Sequence, residues 1–268
     1  MQPIILAIAP HPKAGIRYAF DFSPESVARS VIEAARLGAS VVHLHMLDEK
    51  GNETSDPAVF NETIRLIRES CDIIIQGSTG GSTELALEDR CLTLRNEVLQ
   101  MASLNMGSVN FGEQVYQNPY PSILYFAREM ERKGVIAELE IFDLSMLYVA
   151  KDMIIKRLCR PIYNFCFDFP NALPAKPSIL KFMLSELNER ESVSILQHGM
   201  PNLDFLASSL DEGVTGLRVG LEDSVYDAHG KAVYENVLLF SDLAEMVRQK
   251  GYQAASVREA KEILHIQK

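Results

Sequence analysis

Apolar, β-rich runs alternate with helix-like segments along the whole sequence. The run Ile4–Pro10 precedes a helix signal at Ser23 and Pro24, where serine is a favoured N-cap and proline a favoured first helical residue. Gly38 is a good C-terminal stop for that helix. About eight such strand–helix units follow one another, and continuous apolar strands of this kind are typical of a parallel sheet covered by helices.

About eight units in 268 residues fit a closed α/β barrel, the (β/α)8 or TIM barrel. An open doubly wound sheet is the alternative, but it usually carries a glycine-rich turn after its first strand. Here that turn reads Ala9-Pro10-His11-Pro12-Lys13, and no Pro/Ser/Gly-rich linker interrupts the chain. We therefore predict one TIM-barrel domain over residues 1–268. Three element boundaries that become relevant below are predicted as helix Leu85–Asn96, helix Pro177–Arg190 and strand Gly216–Leu221.

Charge and cysteine content restrict the class of protein. The formal net charge of −10 argues against a nucleic-acid partner, since phosphate neutralisation requires a basic surface. The four cysteines form no CxxC pair, which is typical of reduced thiols in a cytoplasmic protein. The start of the chain has neither the pattern of a signal peptide nor an apolar run long enough for a membrane span. We expect a cytoplasmic protein that binds small molecules and has no membrane association.

The strand that follows the first helix carries two histidines one residue apart. Side chains alternate faces along a strand, so His43 and His45 point the same way. Two imidazoles so placed can share one metal ion, and zinc accepts imidazole ligands while keeping a position open for substrate. Hydrogen-bonded core histidines are the alternative. A metal site requires a third ligand from elsewhere in the chain.

The chemistry of a β/α barrel takes place at the C-terminal ends of its strands, and polar residues collect at those ends in this sequence. They are His11, Lys13, His43, His45, Ser78, Ser103, Asn105, Glu138, Glu140, Gln197, His198, Arg218 and Glu222. We interpret His198 as a loop residue. The glycines after Ser78 could bring backbone amides close to an anion, although such a loop is often only a tight turn.

The last strand supplies a candidate third ligand. On an extended strand Arg218, Gly220 and Glu222 share one face, which would give a His2Glu metal site with the two histidines. A buried arginine needs a carboxylate, and Glu140 or Asp223 could provide it. A structural ion pair followed by surface acids is the alternative interpretation of this stretch.

Five motifs in this order resemble the beta-keto acid cleavage enzyme family: HLH, IIQGSTGG, MASLNMGSVNFG, ELEIFD and LRVGLEDSVYDAHG. The resemblance covers nearly the whole chain. It implies a barrel that binds one divalent metal, usually zinc, through His43, His45 and Glu222. It also implies exchange of acyl groups between a beta-keto acid and acetyl-CoA, which releases acetoacetate and a new acyl-CoA. Family members are oligomers, so we expect a dimer or tetramer.

The resemblance also assigns roles around the metal. It implies a base system of Glu140, Arg218 and Asp223, in which Asp223, held by Arg218, would remove the C2 proton while zinc acts as Lewis acid. Ser78 would take part in catalysis. The substrate-binding residues would be Ser78, Thr79, Gly80, Ser103 and Asn105.

Some positions depart from the family pattern. The family has a glutamate after the first strand that contacts a distal amine of the substrate, and residues 10–15 here lack it. His11 or Lys13 would instead suit a neutral or acidic distal group. Leu47 stands where the family often has arginine. A metal-assisted keto-acid lyase without CoA and a non-catalytic metal-binding barrel remain alternative functions.

Overall fold

Eight parallel strands close into a barrel in the computed structural model, which describes residues 1–12, 20–80, 85–188 and 191–267. In chain order the strands are β1 (Pro3–Ile8), β2 (Val41–Leu44), β3 (Ile74–Ser78), β4 (Met101–Asn105), β5 (Val109–Phe111), β6 (Gln114–Tyr116), β7 (Ile136–Ile141), β8 (Ile162–Phe167), β9 (Ser192–Gln197), β10 (Gly216–Val219) and β11 (Gln253–Ala254). The barrel runs β1-β2-β3-β4-β7-β8-β9-β10, and β10 closes it by pairing with β1 from Ile5 opposite Gly216 to Ile8 opposite Val219. The predicted TIM barrel is confirmed.

Helices cover the outside of this barrel. They are α1 (Pro24–Arg36), α2 (Ala58–Ser70), α3 (Leu87–Arg90), α4 (Tyr120–Lys133), α5 (Leu144–Ile155), α6 (Pro177–Ser185), α7 (Asp204–Leu210), α8 (Asn236–Gln249) and α9 (Val257–Ile263). Ser23 caps α1 as predicted, accepting a hydrogen bond from the Ser26 amide. Within the described ranges, no helix has the length and apolar character needed to cross a membrane.

Two predicted helices are shorter than expected. The segment predicted as helix Leu85–Asn96 divides into α3 and a 3₁₀ helix, Leu92–Arg95. In this segment the Arg90 side chain donates to the Thr79 carbonyl oxygen and the Thr93 hydroxyl donates to the Ser78 carbonyl oxygen, at the end of β3. Helix α6 ends at Ser185, and the predicted end at Arg190 lies outside the described residues.

The hairpin β5–β6 was not predicted from the sequence. Phe111 pairs with Gln114 across a two-residue turn, in which Gly112 has φ +65°. A Gly-X pair between alternating residues is a recognised hairpin signal, so this element was predictable. The hairpin lies after β4, on the end of the barrel where the candidate site residues collect.

The barrel interior is apolar at its base and polar above. Ile5, Val41, Ile74, Met101 and Ile162 form a separate apolar cluster that α9 helps to close with Ala260 and Leu264. Closer to the C-terminal ends, the buried inward-facing residues are polar: His43, Gln76, Ser103, Glu138, Asn164, Ser194 and Arg218. Burying so many polar groups is costly unless they are hydrogen-bonded or used, so this end of the barrel is the candidate site.

Candidate active site

His43 and His45 point into the same space at the top of β2. His43 is the third residue of the strand, and His45 follows directly after the strand ends at Leu44. Their Nε2 atoms lie 3.2 Å apart. The parallel pairing of β2 with β3 places His43 opposite Gln76, which brings a partner to its other ring nitrogen.

A hydrogen-bond chain behind His43 fixes which nitrogen faces the cavity. The Gln76 amide nitrogen donates to the Glu138 carboxylate at 2.8 Å, so the Gln76 oxygen is left to accept from His43 Nδ1 at 2.6 Å. Burial lowers the pKa of His43 to about 3, which keeps its imidazole neutral. The Nε2 lone pair therefore faces the cavity, as in histidine ligands of metals.

Glu222 completes a group of three converging ligand atoms. Its Oε1 lies 3.3 Å from His45 Nε2 and 3.7 Å from His43 Nε2, and one ligand atom from each residue fits within 4.8 Å of the others. Burial raises the pKa of Glu222, but the charges of His45 and Arg218 lower it by more. The net pKa therefore lies well below the ordinary value of a glutamate. Among the described residues, its buried Oε2 atom has no hydrogen-bond partner. Two imidazoles and a carboxylate with one unsatisfied oxygen form a donor set that suits zinc.

The route by which Glu222 reaches the histidines differs from the prediction. Strand β10 ends at Val219 and not at Leu221, and Glu222 lies in a turn, so strand alternation does not place it. The chain turns at Gly220, where φ is +155° and a Cβ atom would lie 2.0 Å from the Ala9 carbonyl oxygen. The Glu222 amide donates to that same oxygen at 3.3 Å. Gly220 thus allows β10 and the chain after β1 to approach closely enough to present Glu222.

Arg218 connects the metal-ligand group to further carboxylates. Its Nε and Nη2 atoms donate to both oxygens of Asp223, at 3.0 and 2.6 Å, and Nη2 also donates to Glu222 at 2.9 Å. Its Nη1 atom lies 3.8 Å from Glu140 Oε1. Of the two partners that were predicted for Arg218, Asp223 thus makes the closer contact. This bidentate pairing fixes the plane of the guanidinium group.

Asp223 and Glu140 differ in their access to the cavity. The Asp223 side chain is 0% exposed and both its oxygens accept hydrogen bonds from Arg218, and the expected removal of the C2 proton by Asp223 stays a prediction. Glu140 lines the cavity. Burial raises the pKa of Glu140 to about 7 although Arg218 lowers it, so this carboxyl group can hold or release a proton near neutrality.

The cavity beside these residues has a volume of about 380 Å³. Its polar wall includes the three ligand residues, Ser78, Gly80, Asn105, Glu140 and Arg218. The cavity therefore joins the candidate metal ligands and the arginine–carboxylate group in one space that is open to a small molecule.

Comparison with known proteins identifies the family. A sequence model described as beta-keto acid cleavage enzyme matches residues 18–266. The chain belongs to the beta-keto acid cleavage enzyme family. It is 32% identical over 255 residues to the 3-keto-5-aminohexanoate cleavage enzyme of Acetoanaerobium sticklandii, covering 92% of this chain and 91% of the relative. It is 30% identical over 273 residues to the 3-oxoadipate:acetyl-CoA acetyltransferase of Cupriavidus necator, covering 98% and 95%.

A solved structure shares the fold. The structure of ObcA in a ternary complex with C4-CoA adduct and oxalate superposes with a TM-score of 0.73 at 19% identity, covering 91% of this chain and 67% of ObcA. At that identity the likeness concerns the fold alone.

Two residues expected to bind substrate lie outside the cavity of this family member. The Thr79 hydroxyl donates to the Ser103 carbonyl oxygen at 2.6 Å, and both residues are buried and do not line the cavity. They brace the loop after β3, whereas the Ser78 hydroxyl oxygen accepts from the Gly80 amide at 3.0 Å on the cavity wall. Strand alternation could not predict this difference between Ser78 and Thr79, because Thr79 follows the last residue of β3.

Of the two residues expected to face a distal substrate group, the structure describes His11 alone. His11 does not line the cavity. Its Nδ1 accepts from the His45 amide at 3.3 Å, and its ring stacks on Phe22 with centroids 6.2 Å apart. Lys13 lies outside the described residues.

Sequence reasoning also missed the apolar side of the cavity. Its aromatic lining residues are Phe111, Tyr116, Phe142, Phe169 and His198. His198, expected as an ordinary loop residue, stacks on Phe169 with ring centroids 4.6 Å apart. The available signal was position, because Phe142, Phe169 and His198 come one or two residues after β7, β8 and β9, where barrel sites lie.

Proposed function

We propose that this chain cleaves a beta-keto acid with acetyl-CoA as co-substrate, giving acetoacetate and a new acyl-CoA, and that His43, His45 and Glu222 hold a zinc ion. The convergence of these three ligand atoms beside Arg218 carries the proposal. Membership of the beta-keto acid cleavage enzyme family supports the same reaction class. So does the 30% identity of the chain to a relative named as an acetyl-CoA acetyltransferase of 3-oxoadipate.

The residues present fit a divalent metal. His43 turns its Nε2 lone pair toward the shared space, and the buried Glu222 Oε2 atom has no hydrogen-bond partner within the described part of the chain. A metal bound there would act as a Lewis acid toward the oxygens of the keto acid.

The chain's own residues would handle the proton and the charge. Glu140 would accept the C2 proton, since it lines the cavity and lies 3.8 Å from Arg218, whereas both oxygens of the buried Asp223 are held by that arginine. The Arg218 guanidinium would stabilise negative charge that develops on the substrate. Asp223 would act as a positioning residue that fixes the guanidinium plane.

Carbon–carbon exchange then follows in two steps. The C2 carbanion attacks the acetyl-CoA carbonyl and expels CoA thiolate. The thiolate attacks C3 of the keto acid, the C2–C3 bond breaks, and the departing carbanion takes up the proton held by Glu140. The products are acetoacetate and the acyl-CoA of the remaining fragment. The apolar walls of the cavity would limit access of water to these charged species.

A panel of beta-keto acids tests the proposal with zinc-reconstituted protein, assayed with and without acetyl-CoA. We expect acetoacetate only when acetyl-CoA is present. Loss of keto acid without acetyl-CoA would instead identify a CoA-independent lyase. Stoichiometric zinc with no reaction of any panel member would indicate a non-catalytic binder.

We propose further that residues 1–268 form one domain, that the protein works in the cytoplasm, and that it assembles at least as a dimer. The four free thiols support the location. A single cooperative unfolding transition would support one domain, and a sedimentation run that shows only monomer would contradict the assembly.

A further inference from the structure

Three phenylalanines form one continuous apolar surface in the cavity, here called the aromatic wall: Phe111, Phe142 and Phe169. Their ring centroids are 5.3 Å apart for Phe111 and Phe142, 5.2 Å for Phe111 and Phe169, and 4.9 Å for Phe142 and Phe169. They come from three different parts of the chain, the β5–β6 hairpin and the ends of β7 and β8. The wall therefore exists only in the folded barrel.

The aromatic wall faces the metal-ligand residues across the mouth. In the order of barrel strands, β8 is four places from β2 and therefore diametrically opposite it. Phe169 follows β8, whereas His43 and His45 belong to β2 and its end. A keto acid with its carboxylate and keto oxygen at the histidines and Glu222 would extend its remaining carbons toward the wall.

Hydrogen bonds hold the aromatic wall in place. The Leu173 amide donates to the Phe142 carbonyl oxygen at 3.0 Å, and the Asp168 amide donates to Leu173 at 2.8 Å. The Asn171 side chain donates to the Gly112 carbonyl oxygen at 3.2 Å, which ties the loop after β8 to the hairpin. The wall is thus formed before any substrate binds, which lowers the entropic cost of binding.

The chemistry of this wall is apolar. Phe142 makes edge-to-face contacts with both other rings, at interplanar angles of 62° and 75°, so the rings pack against each other and do not surround an empty space as a cation cage would. The polar tip of the neighbouring Tyr116 accepts a hydrogen bond from Arg90. Among the described cavity residues, the acidic and basic side chains lie outside the aromatic wall. They are Glu140 on β7, Arg218 on β10, Glu222 after β10, and the exposed Glu53 in the loop after β2.

We propose that the aromatic wall selects beta-keto acids whose distal substituent is uncharged and apolar. This inference rests on the proposed function and names its substrate class. Each methylene group buried on the wall should raise kcat/KM about fourfold. A distal carboxylate or ammonium group would lose water against the phenyl rings of the wall, which offer it neither a conventional hydrogen bond nor a counter-charge, and this should lower kcat/KM about tenfold or more.

Three keto acids with the same six-carbon chain test the proposal directly. They are 3-oxohexanoate, 3-oxoadipate with a distal carboxylate, and 5-amino-3-oxohexanoate with a distal ammonium. Steady-state kcat/KM is measured for each with saturating acetyl-CoA, and 3-oxopentanoate gives the shorter-chain reference. We expect 3-oxohexanoate to exceed both charged acids at least tenfold and 3-oxopentanoate about fourfold. A charged member that reacts equally well or better would overturn the inference and leave the proposed function standing. No turnover of any of the four would overturn both.

Variants locate the selectivity. Phe169→Ala should lower kcat/KM for 3-oxohexanoate about tenfold while changing that for 3-oxopentanoate much less. Phe182→Ala, on α6 with the side chain 50% exposed, is the matched control and should change neither. Near-UV circular dichroism and zinc content verify that each variant is folded and loaded, and Phe169→Leu replaces Phe169→Ala if the latter does not fold. An unchanged ratio of the two substrates in the folded Phe169 variant would contradict the assignment.

Discussion

The substitution Arg218→Met tests the charge network of the site through protein stability. Arg218 is 4% exposed and holds both oxygens of Asp223, whose side chain is 0% exposed, as well as one oxygen of Glu222. Methionine fills a similar volume but strands these carboxylates without a counter-charge. Removing one partner of a buried ion pair costs about 3–5 kcal/mol, which corresponds to a fall in Tm of roughly 6–20 °C for a domain of this size.

Urea and thermal unfolding of zinc-free protein measure this loss. Arg248→Met is the matched control, because Arg248 also binds a carboxylate, on Glu245, but is 71% exposed, so its loss should lower the stability far less than the loss of Arg218. Adding Asp223→Leu to Arg218→Met removes one stranded charge and should recover at least about 1 kcal/mol relative to additive effects. A loss below 1 kcal/mol for Arg218→Met, or zero coupling in this double-mutant cycle, would refute the reasoning.

Three further predictions concern the metal-ligand group. His45→Ala should bind zinc too weakly to retain it through dialysis, because two ligands remain, whereas exposed His229→Ala should keep a full equivalent by elemental analysis. Gln76→Leu removes the hydrogen bond that orients His43 and should weaken zinc binding about 10- to 100-fold in a chelator competition. A variant that binds zinc as tightly as the unmodified protein would refute this role of Gln76. Gly220→Ala should destabilise the fold and weaken zinc binding, because its Cβ atom would lie 2.0 Å from the Ala9 carbonyl oxygen. Gly213→Ala is the control: Gly213 also has positive φ but has open space around it, so zinc affinity should not change.

The barrel and the placement of the two histidines on one face could be predicted because they follow from local patterns. Alternating strands and helices require a covered parallel sheet, and an HxH pair in a strand places both imidazoles on one face. The reason given for Glu222 was nevertheless wrong. Its position depends on a turn at Gly220, and the need for glycine there arises from close contact with another strand. A one-dimensional pattern does not contain that contact.

The apolar side of the cavity could not be assembled from the sequence. Phe111, Phe142 and Phe169 are separated by about 30 residues each and meet only through barrel closure and the hairpin. Phenylalanine also carries no polar signal that distinguishes a cavity wall from core packing. Similarly, the different access of Glu140 and Asp223 to the cavity could not be predicted, because it depends on which carboxylate Arg218 binds with two hydrogen bonds, and both residues look equivalent in the sequence.

Carbon labelling tests the proposed reaction most directly. Zinc-loaded protein is incubated with an unlabelled beta-keto acid and acetyl-CoA carrying ¹³C at both acetyl carbons, and the acetoacetate is analysed by NMR. The account predicts label at C3 and C4 of acetoacetate and none in the new acyl-CoA, because the acetyl group joins C1 and C2 of the keto acid. Unlabelled acetoacetate, or label in the acyl-CoA, would contradict it.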